Sequence, residues 1–246
     1  MAAWRNRTRR EFVADVGRGM VVAGLGLGAA ADLGLAPAWA RDSGAEPLEF
    51  GGLEPLVALM QETSADKLMA VLVEKLHSGT ELKRLVAAGA LANARTFGGE
   101  DYVGFHTMMA LAPALHMSAE LPDDRRALPV LKVLHRNTRR IQEHGGRPSE
   151  VLGTVKPGDE SGAEALRQAV LSKDVRRAEA VFAATARGAS PLAMLNAVLP
   201  TVQQNTDVHR VVLPYRAYDL LGLIGPEQAH TLLRQSVRYC VKSERD

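Results

Sequence analysis

Apolar residues recur along this chain at three- and four-residue intervals from residue 54 almost to its end. That is the period of helices that bury one face. It predicts helices at 54–62, 65–78, 80–96, 101–120, 124–144, 161–171, 174–187, 190–204, 207–223 and 226–242. No stretch alternates apolar and polar residues long enough to read as a strand. The punctuation between these segments agrees. Ser64 and Asp123 stand where N-caps are wanted. Gly98-Gly99, Gly145-Gly146 and Gly188 stand where helices end in the left-handed conformation glycine tolerates. Pro226 fits a first turn. The expected fold class is all-α: a single multi-helix domain of about nine to ten helices, with the helical-hairpin packing of a repeat-like array.

Within this pattern the segment 101–120 is apolar all round and nearly free of charge beyond its first turn, which marks it as the expected buried centre. Residues 41–52, rich in Gly, Pro and Ser, read as an irregular start. Residues 145–160 form the longest irregular stretch and separate an N-terminal from a C-terminal group of helices; a loop of this length is often functional or mobile, and a plain connector is an equal alternative. The two groups share a faint motif. Phe105-His106-Thr107-Met108-Met109 with Pro113 is echoed by Val208-His209-Arg210-Val211-Val212 with Pro214.

The first 40 residues break the helical-domain pattern and change the picture of where the protein works. Arg5, Arg7, Arg9 and Arg10 precede any acid, and Thr8-Arg9-Arg10-Glu11-Phe12-Val13 resembles the twin-arginine export consensus. A Gly- and Ala-rich apolar run from Met20 to Ala31 follows, and Ala38 and Ala40 supply the small residues of a peptidase site. Charged start, apolar middle and small-residue end, in that order, constitute an export signal. The expected division is therefore a signal over 1–40, cleaved after Ala40, and a helical domain over 41–246. The expected location is the periplasm or beyond, and the first partner is the twin-arginine export machinery. The apolar run falls short of the ~20 residues a bilayer span needs, so no permanent membrane span is expected. Gly24, Gly26 and Gly28 lack the strand, helix and distant acid of a nucleotide loop. The twin-arginine route carries proteins that have already folded, often around a cofactor loaded in the cytoplasm.

Charge and composition narrow the function classes. The signal holds five arginines and three acids, a net +2, and the whole chain is also +2, so residues 41–246 are formally neutral. Nucleic acid, which demands a basic surface, is not an expected partner; Arg136, Arg139 and Arg140 read as a solvated helix face. Both tryptophans, Trp4 and Trp39, belong to the signal, which argues against an aromatic carbohydrate or base-stacking platform. Cys240 is the single cysteine. It admits no intramolecular disulfide and no Cys-x-x-Cys-His attachment of haem, and it reads as a core thiol. No Gly-x-Ser-x-Gly elbow exists, and the methionines read as core filler.

What remains is histidine. All seven lie beyond residue 40. On helical wheels His77 and His144 fall on polar sides. His106, His209 and His230 fall on inward faces of three separate helices, with His116 and His135 as further candidates. His106 and His116 are too far apart along one axis, at ~1.5 Å per residue, to share a metal. Arg216 lies on the stripe of His209, flanked by Asp219, and needs either that carboxylate or an anionic ligand as its partner. Bundles build metal and cofactor sites from side chains on facing helices, and neutral imidazole suits iron, copper and zinc. The expected site is therefore His106, His209 and His230 holding haem b or a transition metal ion, with Arg216 on an anionic group and Tyr102, Tyr215 or Tyr218 nearby. The competing expectation is a set of core histidines bonded to backbone carbonyls, since no His-Glu-x-x-His or Glu-x-x-His spacing occurs.

The segments Gly104-Phe105-His106 through Ala119-Glu120-Leu121, around His106 and His116, and Asp207-Val208-His209 through Pro214-Tyr215 resemble the helical, histidine-containing questin oxidase-like proteins. The resemblance covers a small part of the chain and carries no activity with it. Two functional expectations follow from the residues themselves: an exported haem- or metal-binding oxidoreductase, or a non-catalytic helical-repeat scaffold that binds a protein partner in the cell envelope.

Overall fold

The computed structural model describes residues 45–244, so the expected export signal over 1–40 lies outside the described residues. Among the described residues ten α-helices follow one another: α1 (Glu54–Glu62), α2 (Ala65–His77), α3 (Leu82–Phe97), α4 (Tyr102–Ala119), α5 (Leu128–His144), α6 (Ala163–Leu171), α7 (Val175–Ala186), α8 (Pro191–Gln204), α9 (Val208–Ile224) and α10 (Ala229–Lys242). The all-α class is as the periodicity predicts. The one β feature among the described residues is an isolated antiparallel bridge between Pro47 and Gly153. No described helix is long and apolar enough to cross a membrane.

Local chemistry sets the helix ends. Asp101, Asp174, Ser190 and Asp207 each accept a first-turn N–H through the side chain, satisfying donors that helix geometry leaves without partners. Gly98 closes α3 at φ 55° and Gly145 closes α5 at φ 114°. Two expectations are corrected. Asp123 does not cap α5; it sits in a turn and pairs with Arg126 at 2.8 Å. Pro129, in the first turn, lets the helix begin only at Leu128. Pro226 opens a short 3-10 turn, Pro226–Gln228, that leads into α10.

The buried centre is not α4. Tyr102 and Met117 on that helix are 71% and 57% exposed, and His106 and His116 also face solvent. The centre is shared by α3, in which every residue from Leu85 to Phe97 is buried, and α10, buried at nearly every position from Ala229 to Val241. Small residues explain the choice better than mean apolarity. A Cβ added at Gly89 of α3 would stand 2.3 Å from Leu134 Cδ2, and one at Gly104 would stand 2.3 Å from Phe97 Cδ2. Only these glycines let α5 and α4 approach α3 so closely. Around α3 pack α1, α4 and α5; around α10 pack α7, α8 and α9; and α9 and α10 both reach α3.

Several polar groups inside this core are matched to one another. Asn93 Nδ2 donates to Asn137 Oδ1 and to Gly104 O, both at 2.7 Å, and Thr107 Oγ1 joins them. Arg95, with no exposed side-chain area, meets Glu54 and Glu150 at 2.9 Å each. Glu179 on α7 binds Arg234 at 2.6 Å and Arg238 at 2.8 Å. Burial alone would raise the Glu179 carboxyl; the two guanidiniums outweigh it and hold the group below its ordinary range. The 145–160 stretch is pinned at intervals. Val151 and Leu152 donate backbone N–H groups to Arg95 O, and Gly158 donates to Ala180 O.

Candidate functional site

Two aspartates build the site by starting two helices. Asp101 accepts the Gly104 N–H at 2.7 Å and is clamped by Arg140, whose Nη2 lies 2.6 Å from Oδ2. That fixes the first turn of α4, which carries Tyr102, Phe105 and His106. Asp207 accepts the N–H groups of His209 and Arg210 at 2.7 and 3.0 Å, fixing the first turn of α9. Because α4 packs on α9, the two turns meet, and the rings of His106 and His209 stand 5.3 Å apart at 81°. The faint sequence echo around these histidines is thus an encounter in space.

The His106 imidazole is oriented through Nδ1, whereas His209 only lies near a carboxylate. His106 Nδ1 lies 2.6 Å from Tyr102 O, one turn earlier, so it donates there and leaves Nε2 as the acceptor nitrogen. His209 Nδ1 lies 3.7 Å from Asp207 Oδ1. Aromatic rings surround the pair. Tyr102 is 4.4 Å from His106 and 5.8 Å from His209, and Phe105 is 4.8 Å from His209. Tyr239 of α10 is 5.3 Å from Phe105. Beside the pair opens a cleft of about 320 Å³ lined by Glu100, Asp101, Tyr102, Phe105, His209, Tyr239 and Lys242, among others. Its floor exists because Gly99, at φ 80°, lets the α3–α4 turn rest on α10; a Cβ there would stand 2.5 Å from Gln235 O. A row of charges runs inward from its rim. Lys242 Nζ meets Glu100 Oε2 at 3.0 Å, Arg238 bonds Glu100 Oε1, and Arg238 and Arg234 share Glu179.

The other expected site residues lie elsewhere. His230 stacks on Phe182 at 5.4 Å and 17°, and burial first, then Arg234, pushes its pKa down to about 4. Among the described residues no three or more His, Cys, Asp or Glu side chains form a group that could hold a metal ion, so His230 does not join the pair. His116 is exposed and His135 half-buried. His144, expected on the surface, is half-buried and edge-on to Phe97 at 5.3 Å, with its pKa lowered chiefly by burial. Arg216 is partly exposed and already bonded to Asp219 at 3.1 Å, with its guanidinium 5.1 Å from the Tyr215 ring. Tyr215 and Tyr218 line a separate shallow depression with Pro191 and Asp219.

The deeply buried arginine of α9 is Arg210. It donates to Thr201 O and Cys240 O at 3.0 and 2.7 Å and to Glu244 at 2.8 Å. Apolar residues are spread round nearly all of α9, so a helical wheel cannot tell Arg210 from Arg216. Cys240 is buried, and burial raises its thiol. Tyr239, Lys242 and Glu100 escape sequence reasoning. The one sequence signal near them is the i, i+4 run of Arg234, Arg238 and Lys242 along α10.

No protein-family model matches this sequence, and no curated protein or solved structure matches it.

Proposed function

We propose that His106 and His209 form a transition-metal site in a protein exported from the cytoplasm, and that the adjoining cleft brings a substrate to it. The carrying observation is that two histidines about a hundred residues apart in sequence meet with ring centroids 5.3 Å apart. Two imidazoles on one tetrahedral ion, at metal–nitrogen distances of about 2.0–2.1 Å, have centroids roughly 5 Å apart. A haem iron held between the same rings would need roughly 6 Å along a straight line, so a simple ion fits better than haem b. The hydrogen bond from His106 Nδ1 to the Tyr102 carbonyl is also the kind of contact that orients a ligating imidazole. His106 and His209 would hold such an ion, and His209 also lines the cleft. Iron or copper in such a site supplies one-electron chemistry, hence the oxidoreductase reading, and zinc supplies a Lewis acid.

Metal titration of the purified protein tests this. The wild type is expected to take up about one equivalent of copper, iron or zinc, and His106→Ala and His209→Ala each to lose at least tenfold in affinity, the scale of a disturbed ligand shell. His230→Gln is expected to bind as the wild type does. Full retention of metal by both alanine variants, or a wild type that binds none, overturns the assignment.

One observation favours the scaffold reading instead. On α9, Val208, Val211 and Tyr215, at helical spacing i, i+3 and i+7, are 72%, 46% and 60% exposed, and exposed apolar groups on one helix face mark protein-interaction surfaces. On that reading the protein is metal-free, and the histidine variants change partner binding alone.

A further inference from the structure

We infer that the α4–α9–α10 cleft binds a planar aromatic anion, its ring against Tyr102, Phe105 and Tyr239 and its charge on Lys242. The shape argument comes first. About 320 Å³ is at the small end of the ~300–1,000 Å³ typical of ligand pockets, enough for one compact ring system and not for an extended chain. Three aromatic rings and an imidazole supply the walls. Phe105 and Tyr239 are inclined at only 35° to one another, whereas Phe105 and His209 meet edge to face at 71°. Offset-stacked and edge-to-face contacts are the geometries in which aromatic rings attract, so a flat ligand is recognised better than an aliphatic one of equal size.

The charge of the ligand follows from which polar groups are already used. Glu100 accepts from Arg238 on one oxygen and from Lys242 on the other. Asp101 is taken by Arg140 and the Gly104 N–H, and Asp207 by two backbone N–H groups. Ser243 Oγ donates to Tyr239 O and accepts from Arg210. Each of these carboxylates already faces a cation or backbone donors. Lys242 is different: its side chain is 58% exposed, it has three donors, and its one bonded carboxylate uses one of them. A carboxylate or sulfonate on the ligand's ring edge is the group that meets this surplus. None of these contacts involves a metal at the histidine pair, so the inference stands or falls apart from that reading.

Isothermal titration of the full chain in excess chelator, with 2-naphthoate and its neutral analogue 2-naphthamide as probes, tests it. The naphthoate is expected to bind at one site at least tenfold more tightly than the naphthamide. Lys242→Gln is expected to reduce that preference to within about twofold while leaving naphthamide binding unchanged, and Tyr239→Ala to weaken both. Circular dichroism confirms that each variant is folded. Equal affinity for the two probes, an unchanged preference in Lys242→Gln, or no binding of either probe overturns the inference. Loss of metal uptake in the histidine variants would not bear on it.

Discussion

At the scale of single residues, burial sorts the histidines that a helical wheel treats alike. His230 lies against Phe182 with Arg234 beside it, and its pKa is pushed from 6.5 to about 4, first by burial and then by that guanidinium, against a weaker pull from Glu179. The unfolded chain therefore binds a proton that the folded chain refuses between these values. Stability from this group is full above pH 6.5 and is lost as pH falls through that window toward about 4, a loss on the order of 3 kcal/mol. Urea midpoints from pH 7 down to 4 should fall steeply in the wild type and more gently in His230→Gln, whose amide does not titrate. The burial-lowered His144 leaves a residual slope of the same sign. Identical slopes in the two proteins would exclude the assignment. The sequence marks His106, His209 and His230 equally as inward; it is the neighbours they acquire, Tyr102 and Asp207 for the first two and Phe182 for the third, that separate them. Those neighbours come from capping geometry and helix crossings, which no wheel encodes.

At the scale of elements, α10 works as a core helix that carries charge. Arg234 and Arg238 are both buried, and their shared partner, Glu179, is 2% exposed. Removing one member of such a set strands the others in a low-dielectric interior, which costs about 3–5 kcal/mol. Glu179→Gln should lower stability by that amount in urea unfolding. Glu160→Gln, which breaks an exposed pair with Arg177, should leave the midpoint unchanged, because surface pairs contribute little. Comparable losses in both would mean that the α10 ladder is not the strut it resembles. Helix positions themselves are readable from apolar spacing, because a residue misplaced by 100° loses its burial. Nine of the expected segments begin within three residues of the helix found; the other, 124–144, starts four residues late because Pro129 governs its first turn. Which helix is central is not readable in the same way. α4 has the most uniform apolarity, yet α3 takes the centre because Gly89 and the alanines around it permit close approach. The buried arginines mislead for a related reason, since their carboxylate partners lie 41 and 55 residues away in sequence.

At the scale of the whole molecule, the question is whether two groups of helices make one cooperative unit. The 145–160 stretch divides them in sequence, but the contacts do not respect the division. α9 and α10 pack on α3, α9 packs on α4, and the stretch itself is held by Arg95 O on one side and by Ala180 O and Arg234 on the other. The proposed metal pair is made across the same seam, with one histidine from each group. A site so built is only as rigid as the joint between them, and local opening of the joint would separate the two rings. Calorimetry of the metal-free protein should therefore show one transition. Its enthalpy should be about 140 kcal/mol for the 200 residues from 45 to 244, at roughly 0.7 kcal/mol per residue near 60 °C, with the van't Hoff and calorimetric values equal. Tyrosine fluorescence and far-ultraviolet circular dichroism should trace that transition at the same midpoint. Two transitions of about half that enthalpy would mean that the groups unfold separately. The seam would then be a hinge, and metal binding would have to close it; added metal would raise the lower midpoint and draw the two transitions together.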